Sequence, residues 1–217
     1  MFDCDGVLVD SERINNEVLA DLVTRAGLPT TAEDSAARYM GRSTAECIAE
    51  IEHQLGRRLD FDLATEYEKE ALRRQRTGLA VVPGIEELLD RLCAANVPIC
   101  VASSGTPDEI ALRLALTGLD RFFGDHCYSA SMVPRGKPAP DLFLLAAGSI
   151  GVHPTGCVVI EDSPYGVRGG KAAGMTVVGY AALASPRTLR RAGADYIITE
   201  MADAAALLGL RTANTSS

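Results

Sequence analysis

Val97-Pro98-Ile99-Cys100-Val101-Ala102-Ser103-Ser104-Gly105 is an apolar run that stops abruptly in three small polar residues. A run this short, with no polar position inside it, fits a strand buried on both faces better than one face of an amphipathic helix. Three further runs share the texture: Cys157–Ile160, Met175–Val178 and Tyr196–Ile198. Between and after them, helical periodicity fits residues 107–117, 139–150, 165–173, 186–192 and 202–208, and Ile85, Leu88, Leu89 and Leu92 mark one more helix ahead of the first run. Strand and helix in alternation predict an α/β fold: a doubly wound, Rossmann-like parallel sheet.

The part before Pro83-Gly84 reads differently. Ile14, Val18 and Leu22 recur every four residues, Leu19, Val23 and Ala26 widen the stripe, and Gly27-Leu28-Pro29 ends it. Helical patterns follow at 32–39, 43–55 and 61–77, the last carrying a charge run (Glu66 to Arg76) that reads as a solvated face. The expected division is an α/β core from 1–10 and 79–217, with a small all-α domain, 11–78, inserted after the first strand. Residues 211–217 are polar and expected to fray.

The chain has 217 residues, 47% apolar and 23% charged, which are globular proportions. Net charge is -8 and Trp is absent, so a nucleic-acid partner is disfavoured. The apolar runs fall far short of the ~20 residues of a membrane helix, and no secretory signal is visible at the start. Six cysteines without a C-x-x-C pair read as small buried hydrophobes of a reducing, cytoplasmic protein. His53, His126 and His153 stand apart in sequence, without neighbours at ligand spacing.

Phe2-Asp3-Cys4-Asp5-Gly6 looks like the end of a strand and the loop beyond it, yet two residues precede Asp3. A central strand usually has five or six. This predicts that the natural product, or a close relative, begins several residues upstream, which the mass of the endogenous protein tests.

Chemistry gathers where the apolar runs end, the place where open α/β sheets bind ligands. Asp3 and Asp5, two apart on a loop, can share a pocket, one as nucleophile and the other as proton donor and acceptor. Calcium does not fit that loop: counting from Asp3, the positions that need Gly and Glu hold Leu8 and Ile14. Ser103, Ser104 and Gly105 offer hydroxyl and N–H groups to phosphate oxygens. Lys137 sits on a rigid turn, Arg135-Gly136-Lys137-Pro138-Ala139-Pro140-Asp141, and Glu161-Asp162 closes the run Val158-Val159-Ile160. Clustered carboxylates repel one another unless a cation holds them, and hard oxygen ligands suit Mg²⁺.

The order FDCDGVLVD, VASSG, GKPAPD, IEDSPYG resembles the haloacid dehalogenase superfamily, and the helical segment between the first two motifs resembles its β-phosphoglucomutase-like phosphatases, which carry a helical cap. The resemblance implies Asp3 as the nucleophile that becomes an aspartyl-phosphate and Asp5 as general acid/base. It implies Ser103 and Lys137 as phosphate ligands, and Mg²⁺ held by Asp3, the main-chain carbonyl of Asp5 and Asp162, with Glu161 nearby or coordinating. Dehalogenating and phosphonate-cleaving members lack an acid at the place of Asp5. Mutase members have a cap His where this chain has Asn15, which cannot shuttle protons. The expectation is a Mg²⁺-dependent phosphatase of a small sugar, sugar-acid or polyol phosphate, monomeric or dimeric. A hexose-phosphate mutase and a non-catalytic metabolite-binding relative are the alternatives. Asn15, Gly41 and Arg42 are the expected substrate-facing cap residues.

Overall fold

The computed structural model describes residues 1–39, 42 and 44–210. The chain forms two compact units, Asp10–Leu79 and Met1–Val9 joined to Ala80–Ser217.

The first unit is helical: α1 (Ser11–Ala26), α2 (Ala32–Tyr39), α3 (Thr44–Leu55) and α4 (Leu63–Gly78). The α1 stripe does what its period dictates. Ile14, Val18, Leu22 and Val23 pack with Tyr39, Cys47, Ile51, Leu63 and Ala71 into one core. Gly27 ends the helix in the left-handed region (φ 112°), its N–H donating to Thr24 O at 3.0 Å while Leu28 N–H donates to Val23 O at 3.1 Å. Asp62 caps α4, accepting from Thr65 N–H.

The second unit holds a parallel sheet of β1 (Val101–Ser103), β2 (Cys127–Ser129), β3 (Val158–Glu161), β4 (Thr176–Tyr180) and β5 (Tyr196–Ile198), with helices α5 (Ile85–Ala94), α6 (Pro107–Thr117), α7 (Asp120–Phe123), α8 (Asp141–Ser149), α9 (Pro164–Ala172), α10 (Pro186–Ala192) and α11 (Ala202–Leu207). β1 pairs with β2, and β3-β4-β5 pair in that order, all parallel. Phe2 joins the two groups, bridging in parallel to Val101 on one side and Ile160 on the other. Its N–H donates to Cys100 O and its carbonyl accepts from Ala102 N, both at 2.9 Å, while Asp3 N–H donates to Ile160 O at 3.1 Å. The order across the sheet is therefore β2, β1, Phe2, β3, β4, β5. From Phe2 the strands run outward in both directions, so the crevice at the switch point opens beside Asp3.

Three expectations need correction. The run Val97–Ala102 forms a strand only from Val101, because Pro98 has no N–H and Val97 is 41% exposed. Tyr196, read as fully buried, is half exposed, since β5 is an edge strand. β2 escapes the sequence reading altogether: Cys127-Tyr128-Ser129 is too short and too mixed to signal a strand, and its pairing with β1 defines it.

Candidate active site

Asp3, Ser103, Glu161 and Asp162 sit at or just beyond the ends of the Phe2 bridge, β1 and β3, and three of the expected side chains, Asp3, Lys137 and Glu161, meet directly. Lys137 Nζ donates to Asp3 Oδ1 at 2.8 Å and to Glu161 Oε1 at 2.5 Å. It crosses over the Phe143 ring at 5.4 Å from the centroid. The lysine is 3% exposed and the Glu161 carboxylate fully buried. Burial works against the Lys137 charge, but Asp3 and Glu161 outweigh it and raise its proton affinity, so the ammonium persists. Burial, then the charge of Asp3, pushes Glu161 up to about 7 against the opposing pull of Lys137.

Local structure explains the placement. Arg135 grips Asp141 with two bonds, Nε to Oδ2 at 3.1 Å and a terminal nitrogen to Oδ1 at 2.8 Å, which ties the Lys137 turn to the start of α8. Ser163 donates its N–H (3.2 Å) and hydroxyl (2.9 Å) to Glu161 Oε2, and the same hydroxyl accepts from Gly166 N–H, capping α9. Glu161 is thus held by both oxygens. Asp162 is half buried beside it.

Among the described residues, Asp3, Glu161 and Asp162 each offer a carboxylate oxygen within 4.8 Å of the others. Three hard oxygen donors so close together suit a divalent cation of the Mg²⁺ kind. The donor set therefore fits the metal that the motifs imply. The Asp5 side chain is not in this set; it accepts from Arg113 at 3.1 Å. Cys4, between the two aspartates, is fully buried, and burial followed by the charges of Asp5 and Asp3 raises its thiol well above the usual range, so it is no nucleophile.

Ser103 is buried at the tip of β1, its hydroxyl accepting from Gly105 N–H at 3.1 Å, while Ser104 is exposed. Sequence reasoning missed Ser129 and Arg113. Ser129, buried at the tip of β2, donates to Gly105 O at 2.6 Å and braces the Ser103 turn, but with β2 unrecognised nothing marked it. Arg113 did leave a signal: it falls three residues after Ile110 and one before Leu114, on the buried stripe of α6.

In the helical unit, Asn15, Tyr39, Arg42 and Tyr67 help line a cavity of about 160 Å³. Asn15 Oδ1 accepts from Gln75 Nε2 at 3.1 Å. Gly41 lies outside the described residues.

The fold and site thus define a parallel α/β sheet with a lysine buried between two carboxylates at its switch point. The chain belongs to the haloacid dehalogenase-like hydrolases, whose family model matches residues 1–174. It is 34% identical over 180 residues to hexitol phosphatase A of Escherichia coli K12, covering 82% of this chain and 80% of that one. A family hydrolase from Deinococcus radiodurans R1, solved with bound phosphate and sodium, superposes with a TM-score of 0.87 at 34% identity, covering 97% of this chain and 96% of that one. A putative β-phosphoglucomutase from Thermotoga maritima superposes with a TM-score of 0.79 at 28% identity, covering 97% of this chain and 98% of that one. The protein is accordingly a phosphoric monoester hydrolase. Among the described residues no helix is long and apolar enough to cross a membrane.

Proposed function

We propose that this hydrolase is a Mg²⁺-dependent phosphatase of a small polyol or sugar phosphate that works through an aspartyl-phosphate on Asp3. The observation that carries the reading is Lys137 Nζ, 2.8 Å from Asp3 Oδ1 and set beside the Asp3, Glu161 and Asp162 oxygens. Phosphoryl transfer asks mainly for positioning and charge neutralisation, and a buried ammonium next to the attacking carboxylate supplies both.

In the first half-reaction an Asp3 oxygen bonds to phosphorus as the ester P–O bond breaks. Asp5 gives its proton to the departing oxygen, releasing the alcohol. In the second, Asp5 takes a proton from water, the water oxygen bonds to phosphorus, and the Asp3–phosphorus bond breaks to free inorganic phosphate. Lys137, with the Ser103 hydroxyl and the backbone through Ser104, meets the phosphoryl oxygens. Asp3, Asp162, Glu161 and the Asp5 main-chain carbonyl would hold Mg²⁺, which when bound neutralises phosphate charge.

The substrate class follows hexitol phosphatase A, the relative at 34% identity. We assign 1–10 and 79–217 to the catalytic core and 11–78 to a helical cap domain, with Asn15 and Arg42 as its candidate substrate contacts. Asn15 in the place of a cap histidine favours water over a sugar hydroxyl as acceptor. A monomer in the cytoplasm completes the reading; the six free thiols support a reducing compartment. Phosphate release across a panel of polyol, sugar and sugar-acid phosphates, with Mg²⁺ and with EDTA, tests it. Asp3→Asn should abolish turnover and acid-stable phosphate labelling of the protein. An undiminished rate in that variant overturns the assignment.

A further inference from the structure

Arg113 comes from the middle of α6, and its guanidinium donates to Asp5 Oδ2 at 3.1 Å across 108 residues of sequence. The arginine side chain is 12% exposed and the aspartate 24%. An arginine meant to solvate a helix points outward; burying the charge is unfavourable unless a partner holds it. The helix that carries it is firmly set. Thr106 and Glu109 form a reciprocal capping box, Pro107 opens the first turn, and Ile110 and Leu114 are buried on either side of Arg113. The same guanidinium nitrogen lies 3.1 Å from where a side chain on Gly105 would begin, and Gly105 N–H binds Ser103 Oγ. Arg113 therefore stands where the Asp5 loop and the Ser103–Gly105 turn meet.

We infer that Arg113 is a positioning residue for proton transfer by Asp5, fixing which carboxyl oxygen carries the proton. This rests on the assignment of Asp5 as proton donor. A guanidinium has donors and no acceptor, so the oxygen it engages, Oδ2, is the unprotonated one. The transferable proton then sits on Oδ1. When the ester P–O bond breaks, the Oδ1–H bond breaks and the alcohol O–H forms. In the second half-reaction Oδ1 receives the proton that water loses as its oxygen bonds to phosphorus. Two elements of the core set the aim of that oxygen, the loop after Phe2 and helix α6. Without the guanidinium, the Asp5 carboxyl loses its contact to α6.

Leaving-group dependence tests this. An alkoxide needs its proton as it departs, whereas 4-nitrophenolate does not. With Mg²⁺ present, Arg113→Met should lower kcat/KM for a polyol phosphate by on the order of 10- to 100-fold, within the range general acids contribute. For 4-nitrophenyl phosphate kcat/KM, which covers only the steps through departure of the phenolate and not the shared hydrolysis of the aspartyl-phosphate, should fall by less than about 3-fold. Arg113→Lys, a point charge without the fixed fork, should fall between Met and the parent. Asp5→Asn is the reference. If Asp5→Asn lowers kcat/KM equally for both substrates, the assignment of Asp5 as proton donor fails. If Asp5→Asn is selective but Arg113→Met lowers kcat/KM for both substrates alike, or for neither, the inference about Arg113 alone is overturned. Circular dichroism checks folding. Where the Met variant is unfolded, Arg113→Gln is read the same way, and a parental polyol-to-aryl ratio in it overturns the inference.

Discussion

Lys137 Nζ stands 2.8 Å from Asp3 Oδ1 and 2.5 Å from Glu161 Oε1, so a single buried ammonium serves two carboxylates carried by neighbouring segments at the centre of the sheet, the one after Phe2 and the end of β3. Lys137→Met would leave those carboxylates facing each other without a counter-charge. Truncating one partner of a buried ion pair costs about 3–5 kcal/mol, so the melting temperature should drop by roughly 6–20 °C for a chain of this size. Turnover should fall by at least about 100-fold, as when a preorganised charge is removed from an active site. Thermal melts and phosphate release measure both, and a variant that keeps the parental melting temperature and rate contradicts the arrangement. Lys137→Arg should not rescue it, because a planar guanidinium is no substitute for a compact ammonium between two oxygens.

The fully buried Glu161 gives the metal-free protein a defined pH response. Its carboxyl is pushed from its ordinary 4.5 up to about 7, chiefly by burial and then by Asp3. The folded state thus holds this proton more tightly than the unfolded state does. Between about 4.5 and 7 the native protein binds more protons, so this group's contribution to stability declines as pH rises through that window and levels off above it. Lys137, whose affinity is raised instead, contributes stability that is lost only at alkaline pH, as its own folded value is passed. In EDTA, the difference in melting temperature between the parent and Glu161→Gln should shift against the parent from pH 5 to pH 7.5. Mg²⁺ prefers the ionised oxygens, so it should stabilise the parent more at pH 7.5 than at pH 5. A Mg²⁺ effect that is equal at both values would contradict this.

Much of the site was legible because strand tips in a parallel sheet announce themselves: an apolar run with no polar interruption, then an abrupt polar turn. Val101-Ala102-Ser103 and Val158-Val159-Ile160-Glu161 carry that signature and end at the site. Asp162 beside Glu161 was readable for the same reason. What stayed hidden depends on partners far along the chain. β2 has three residues and no apolar core of its own, so only its register against β1 makes it a strand, and Ser129 was hidden with it. Arg113 is charged, and a charge on a helix reads as solvent-facing until Asp5 is seen beside it. Position on the apolar stripe was the better guide than charge.

Of the cysteines expected as buried hydrophobes, Cys4, Cys47, Cys100 and Cys157 are buried, but Cys93 near the end of α5 is exposed. Burial pushes the half-buried Cys127 thiol up to about 11, which leaves it almost wholly protonated near neutrality. Iodoacetamide at pH 8 should therefore label the folded protein fastest at Cys93, with the buried four reacting only after denaturation. Peptide mapping by mass spectrometry measures the order. Rapid labelling of Cys4 or Cys100 in the native protein would mean that the loop after Phe2, or the sheet beside it, opens far more readily than its hydrogen bonds allow.

Gly166 sits in the first turn of α9 directly under the Glu161 carboxylate. A methyl group there would stand 1.8 Å from the Glu161 carboxyl carbon and from Oε1, so no small adjustment accommodates it. Its backbone is helical and outside the left-handed region, which means that space and not conformation demands glycine. Helix propensity alone would favour Gly166→Ala by about 1 kcal/mol. The clash reverses the sign, because Glu161 must leave either Lys137 or Ser163, and overpacking of this kind costs about 1–3 kcal/mol. Gly148→Ala in α8 is the matched control: nothing lies within 4 Å of the methyl group it would add, so it should stabilise the protein by a few tenths to about 1 kcal/mol and leave turnover alone. Gly166→Ala should lose Mg²⁺ affinity and turnover together, measured by titration of activity against Mg²⁺. If both alanine variants behave alike, Glu161 is not fixed where the Lys137 bridge requires it.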